Sequence, residues 1–148
     1  MVYLSYRDDE LQSEQRKKIW PFRLHEIQEC SYGRVTFKKT DQGWIGQEGA
    51  QSPWQPLDTS YVETFLTDLL QYEIEKMISI PDHELPQFGF HKDSPESLQI
   101  NHLKLFLGLP LPYGYGYYFR LSPAPPGELY IGSAHLALLL NKPLADFL

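Results

Sequence analysis

One stretch constrains this chain more than any other. Between Pro56 and Tyr72 the sequence runs PLDTSYVETFLTDLLQY, its one long helical pattern. Val62, Phe65, Leu66 and Leu69, with Leu70 beside them, recur at the i, i+3, i+4, i+7 spacing that lines one helix face. Asp58 or Thr59 supplies the N-cap, and Glu63 and Asp68 fall on the opposite, wet face. A helix with one apolar stripe must bury that stripe against something. The rest of the chain offers short strands and turns that can pack on it. The expected architecture is α+β: an antiparallel sheet in two meanders, one central amphipathic helix packed on one face, and a short C-terminal helix.

The strands are read from alternation. Pro21 to Glu29 reads as a strand with Phe22, Leu24 and Ile27 inward, and Ser31-Tyr32-Gly33 as a turn. Arg34 to Lys39 alternates Val35 and Phe37 against Arg34, Thr36 and Lys38. Asp41-Gln42-Gly43 turns the chain into Trp44-Ile45, which completes a three-strand meander. After the helix, Glu73 to Ile80 alternates again until Pro81 stops it. His83 to Phe90 is expected to be a tight turn closing on Gly89, with Leu85, Phe88 and Phe90 tucked inward. Leu98 to Ile100 pairs with Leu103 to Leu107 around Asn101-His102. Tyr117 to Leu121 pairs with Glu128 to Ile131 around a Pro-rich turn. Ser133 caps a last helix, Ala134 to Leu140.

A length of 148 residues suits one domain with a real core. That domain is expected over 21–148, with 1–20 as a juxtamembrane or linker segment. A net charge of −6 argues against a nucleic-acid partner. Cys30 stands alone, which excludes an intrachain disulfide and a cysteine-based metal site. No apolar run reaches the roughly 18 residues of a membrane span. Val2 to Tyr6 is nevertheless apolar and aromatic, then turns abruptly charged at Arg7-Asp8-Asp9-Glu10. Tyrosine favours membrane interfaces, so this start reads either as the trailing edge of an anchor absent from the chain or as a short ordinary strand.

Chemistry is sparse. His83-Glu84 resembles the opening of a zinc-protease helix, but Gln87 stands where the second histidine belongs and Pro86 breaks the helix. His25, His91, His102 and His135 are scattered over different elements. Ser133 is accounted for as a cap, and no G-x-S-x-G elbow exposes a nucleophile. Cys30 has no basic neighbour to activate it. Gly114-x-Gly116 lacks the rest of a phosphate loop. Glu63, Asp68, Glu73 and Glu75 read as the solvated side. No catalytic residue, metal ligand or cofactor is therefore assigned. The segment PYGYGYYFRL, Pro112 to Leu121, stands out, and Tyr113, Tyr115, Tyr117 and Arg120 are its binding candidates. The plainer reading of those rings is that they cover a sheet edge.

From Phe22 onward the order of segments carries a resemblance. FRLHEI and RVTFKK are followed by DQGW, then by PLDTSYVETFLTDLLQ as a helix and EKMIS as a strand. QFGFHKDSPESLQI, GYYFRL and the closing ELYIGSAHLALLLNKPLADFL complete the series. This order resembles the family called domain of unknown function 4340, similar to auxiliary components of gliding-motility-type ABC transporters. The sequence departs from that pattern at Phe90, where leucine is usual, and in the Tyr-Gly run, which replaces a variable loop. The resemblance implies a non-enzymatic, extracytoplasmic (periplasmic) domain tethered by an N-terminal membrane helix, with components of a membrane complex as protein partners. It implies no catalytic residues. The alternatives are a small-ligand or glycan-binding module built on the Tyr-rich hairpin, and a soluble cytoplasmic interaction protein. The oligomeric state is left open.

Overall fold

The computed structural model describes residues 18–91, 95–112, 116–124 and 127–148. The expected anchor remnant at Val2 to Tyr6 lies outside them. The strands are β1 (Glu29–Tyr32), β2 (Val35–Thr40), β3 (Gly43–Glu48), β4 (Gln55–Pro56), β5 (Lys76–Ser79), β6 (Leu98–Ile100), β7 (Leu103–Pro110), β8 (Tyr117–Ser122) and β9 (Glu128–Gly132). They form one sheet in the order β4-β3-β2-β1-β6-β7-β8-β9-β5, with antiparallel pairing throughout. Two meanders are thus fused edge to edge through β1 and β6, where Cys30 opposes Ile100.

Helix α1 (Thr59–Leu70) lies on one face of this sheet. Asp58 caps it by accepting a hydrogen bond from the Tyr61 amide at 3.1 Å. Val62, Phe65, Leu66 and Leu69 are buried, and each stabilises the fold by roughly 1.5–3 kcal/mol relative to an exposed side chain. The helix occupies only 12 residues, so the sheet, not the helix, is what the core is organised on. Cys30, Phe37, Trp44, Leu98, Ile100, Leu105 and Phe119 supply the inward side of the strands. Helix α2 (Ala134–Leu139) follows β9, with Ser133 Oγ accepting from the His135 amide at 3.2 Å. The chain then closes with a 3-10 turn, Leu144–Phe147, that drives Phe147 between Phe37 and Phe65 at centroid distances of 4.8 Å and 5.2 Å.

Two local expectations are corrected. Pro21 to Glu29 is not a strand: Leu24–Glu26 is a 3-10 turn, and β1 begins at Glu29 and runs through the Ser31-Tyr32 expected to be a turn. The turn is closed locally, by the Glu26 amide to the Arg23 carbonyl at 2.9 Å and the Arg23 amide to Glu26 Oε1 at 2.9 Å, and Asn101 ties down the chain that follows it. Asn101 Oδ1 accepts from the amides of Gln28 and Glu29 at 2.9 Å and 3.3 Å, while its Nδ2 donates to the Glu26 carbonyl at 3.0 Å. A side chain thereby satisfies the backbone that a strand ladder would otherwise satisfy. The second correction is the domain edge. Ile19 and Trp20, expected in the linker, are buried in the core. The Ile19 amide donates to the Tyr72 carbonyl at 3.1 Å, and Lys18 Nζ donates to the Gln71 carbonyl at 3.0 Å. The segment entering the domain thus supplies donors to carbonyls just past the end of α1.

Candidate functional site

The outward face of the second meander carries the site. Strand alternation puts Tyr117, Phe119 and Leu121 on the core side of β8, and Tyr118 and Arg120 on the other. On β7, Phe106 stands directly opposite Arg120 and shares that outward face. An exposed ribbon bearing two aromatic rings and a guanidinium would be a poor surface, and the chain covers much of it. The segment after β5 folds into a 3-10 helix, Asp82–Phe88, terminated by Gly89 at φ 92°. It sets Phe88 edge-on to Tyr118 at 4.9 Å and buries Phe90. Phe90 and Leu129 are buried apart from the main core, so each face of the sheet has its own apolar packing.

Arg120 is held at the centre of this second layer. Its guanidinium sits over the Phe90 ring, 6.0 Å from the centroid, as a cation does against the negative face of an aromatic. It lines two clefts. One, of about 310 Å³, is lined by Phe90, His91, Phe106, Ser122 and Pro123 as well as Arg120. The other, of about 320 Å³, shares Phe90, His91 and Arg120 with the first and is lined further by Asp82, Leu85 and Pro86. Among the described residues no carboxylate pairs with Arg120; the ion pair that does form, Lys18–Glu73 at 4.0 Å, involves neither it nor any residue lining the two clefts. A half-buried guanidinium set beside aromatic rings, with no carboxylate paired to it among the described residues, is equipped to receive an anion.

The binding candidates read from the sequence are therefore separated. Tyr113 and Tyr115 lie outside the described residues. Tyr117 and Arg120 are three apart on one strand and project from opposite faces; Tyr117 opposes Pro110 and Gly132. Phe90, Phe106 and Pro123 were not among the candidates. The signal for Phe106 was in β7, where it falls out of phase with Leu103, Leu105 and Leu107, a large apolar residue at an outward strand position.

The remaining titratable groups are accounted for differently. Cys30 is fully buried, and burial pushes its thiol well above the ordinary range, so it is inert in the fold. His102 packs edge-on to Phe22 at 5.6 Å. Glu63 and Asp68 are exposed on α1. Among the described residues, no group of three His, Cys, Asp or Glu side chains is placed to hold a metal ion, and no helix is long and apolar enough to cross a membrane.

A second feature is the sheet end. Among the described residues β5 is the terminal strand, bonded to β9 on one side only, and Lys76, Met77 and Ser79 are exposed. Met77 keeps 56 % of its surface open, a large apolar side chain on an unpaired edge. Comparison with known proteins adds no relative: no family model, no curated protein and no solved structure matches this chain.

Proposed function

We propose that this chain is a non-enzymatic, extracytoplasmic interaction domain of a membrane-anchored protein, serving an ABC-type transport or gliding-motility assembly and binding a protein partner along β5. The order of segments that resembles domain of unknown function 4340 supports the setting. The open β5 edge carries the binding mode. A strand with one free side can accept another by β-augmentation, in which backbone hydrogen bonds give affinity and alternate side chains give specificity. Lys76 on the strand and Pro81 after it limit indiscriminate pairing, as edge strands commonly require.

Two measurements test this. Alkaline phosphatase and green fluorescent protein fused after Leu148 in the intact gene report the compartment. Active phosphatase with dark fluorescent protein supports the placement, and the reverse pattern overturns it. A photo-crosslinking amino acid at Met77 should join the domain to a transporter component in membranes, whereas one at Glu63 on α1 should not. Equal crosslinking from both positions removes the case for β5.

The second reading, a small-ligand-binding module, is favoured by one observation: Arg120, with no carboxylate partner among the described residues, lines two clefts.

A further inference from the structure

We infer that the Arg120 clefts form a binding site for a small carboxylate with a flat apolar body, independent of the partner at β5 and of the membrane setting. The argument begins with the arginine. Its guanidinium is planar and offers a fork of donors that matches the two oxygens of a carboxylate. The cation–π contact with Phe90 restrains the guanidinium, so less freedom is lost when an anion docks. The walls decide what the anion is attached to. Phe90, Phe106 and Pro123 supply the apolar part of the first cleft's wall, with His91 and Ser122 beside them as polar groups. Its volume, about 310 Å³, is at the small end for ligand pockets and suits a compact molecule.

The charge count decides which anion. Among the described residues lining the two clefts Arg120 is the one lysine or arginine, and Asp82 also lines the second. A phosphate dianion calls for more donors and more positive charge than that. A single carboxylate is matched by one guanidinium. The chain's net charge of −6 gives no long-range attraction for anions, so recognition is local to this arginine. Gly108 makes the site possible. It lets Phe90 pack against β7, which brings the ring under the guanidinium.

The test is titration of the full chain with phenylacetate, followed by calorimetry and by amide chemical shifts. Phenylacetamide, which keeps the ring and loses the charge, is the control, and inorganic phosphate is the competitor. Two variants accompany it: Arg120→Gln, which removes the fork, and Phe106→Trp, which keeps the cation and fills the cleft. The expected result is saturable phenylacetate binding, at least about tenfold weaker for phenylacetamide and for each folded variant, the range of one charged hydrogen-bonded contact. Shifts should concentrate at 88–91, 106 and 120–122. Absence of binding at millimolar phenylacetate overturns the site. So does undiminished binding in Arg120→Gln, or phenylacetamide binding as well as phenylacetate. Phosphate competing as strongly as phenylacetate overturns the carboxylate assignment. If Arg120→Gln does not fold, Phe106→Trp decides alone.

Discussion

Gly108 and Phe90 are in a contact that only glycine permits: a β-carbon on Gly108 would lie 2.6 Å from the Phe90 ring Cζ. It would also strike the Phe88 carbonyl, which is backbone and cannot rotate away. The 3-10 segment and β7 therefore meet nearly backbone to backbone. Gly108→Ala should push residues 88–90 off the sheet and destabilise the fold by about 1–3 kcal/mol, the range for overpacking. Urea unfolding measures the loss. Amide hydrogen exchange should show it concentrated at 85–90 and 106–109. A variant as stable as the parent would mean that this second layer is not packed as described.

Asn101 gives a sharper separation of causes. It sits at φ 52°, a left-handed conformation that asparagine tolerates better than most residues. Its side chain also holds the Glu26–Glu29 backbone. Asn101→Gly keeps the turn and loses the bonds; Asn101→Ala loses both. Glycine should cost about 1–2 kcal/mol, and alanine about 1 kcal/mol more, by chemical denaturation. Equal costs would show that backbone conformation contributes nothing here.

These two positions also explain what was legible in the sequence. α1, β2, β6 and the β8–β9 pair were readable because each is fixed by local rules: a 3.6 or 2.0 period, with turn residues or a cap at its ends. Leu24–Glu26 was misread because a local Arg23–Glu26 turn competes with the alternation, and the backbone leaving it is held by Asn101, more than 70 residues away in sequence. The start of the domain was misplaced because Ile19 and Trp20 follow the basic Arg16-Lys17-Lys18 run, which reads as surface. Arg120 was identifiable as a lone cation in an aromatic run. Its cleft was not, because Phe90 and Phe106 reach it from two other elements. Alternation along one strand cannot show which segment will cover its outer face.

The C-terminal segment is part of the core. Phe147 is 1 % exposed and touches both β2 and α1 through Phe37 and Phe65. Its carbonyl accepts from the Asp58 amide at 2.7 Å, which ties it to the start of α1. Tyr32 adds a bond from its hydroxyl to the Lys142 carbonyl at 2.8 Å. Phe147→Ala should cost about 3–5 kcal/mol, enough to leave a domain of ordinary stability partly unfolded. Tyr32→Phe, which keeps the ring, should cost only about 1 kcal/mol. Thermal melts of the two variants should therefore be widely separated.

Cys30 predicts how stability responds to alkali. In the unfolded chain the thiol ionises near pH 9.0, whereas burial holds it protonated in the fold to well above that. Between those limits the folded state keeps a proton that the unfolded state has lost. Unfolding then releases a proton, so stability falls as pH rises, by about 1.4 kcal/mol per pH unit, and this contribution is flat below pH 9.0. Burial likewise raises Tyr32 and Tyr72, and burial with a hydrogen bond to Glu128 raises Tyr130 from 10.0 to about 12, so these add to the loss as pH nears and passes 10.0. The difference between the parent and a Cys30 variant therefore isolates the thiol. Cys30→Ala should be less stable than the parent at pH 8, because it leaves a small void. Over the next interval it should lose about 1 kcal/mol less than the parent does. Urea unfolding at pH 8, 9 and 10 measures both curves. Parallel curves would mean that Cys30 ionises in the folded state as readily as in the unfolded one, which its complete burial in β1 against Phe37 and Ile100 forbids.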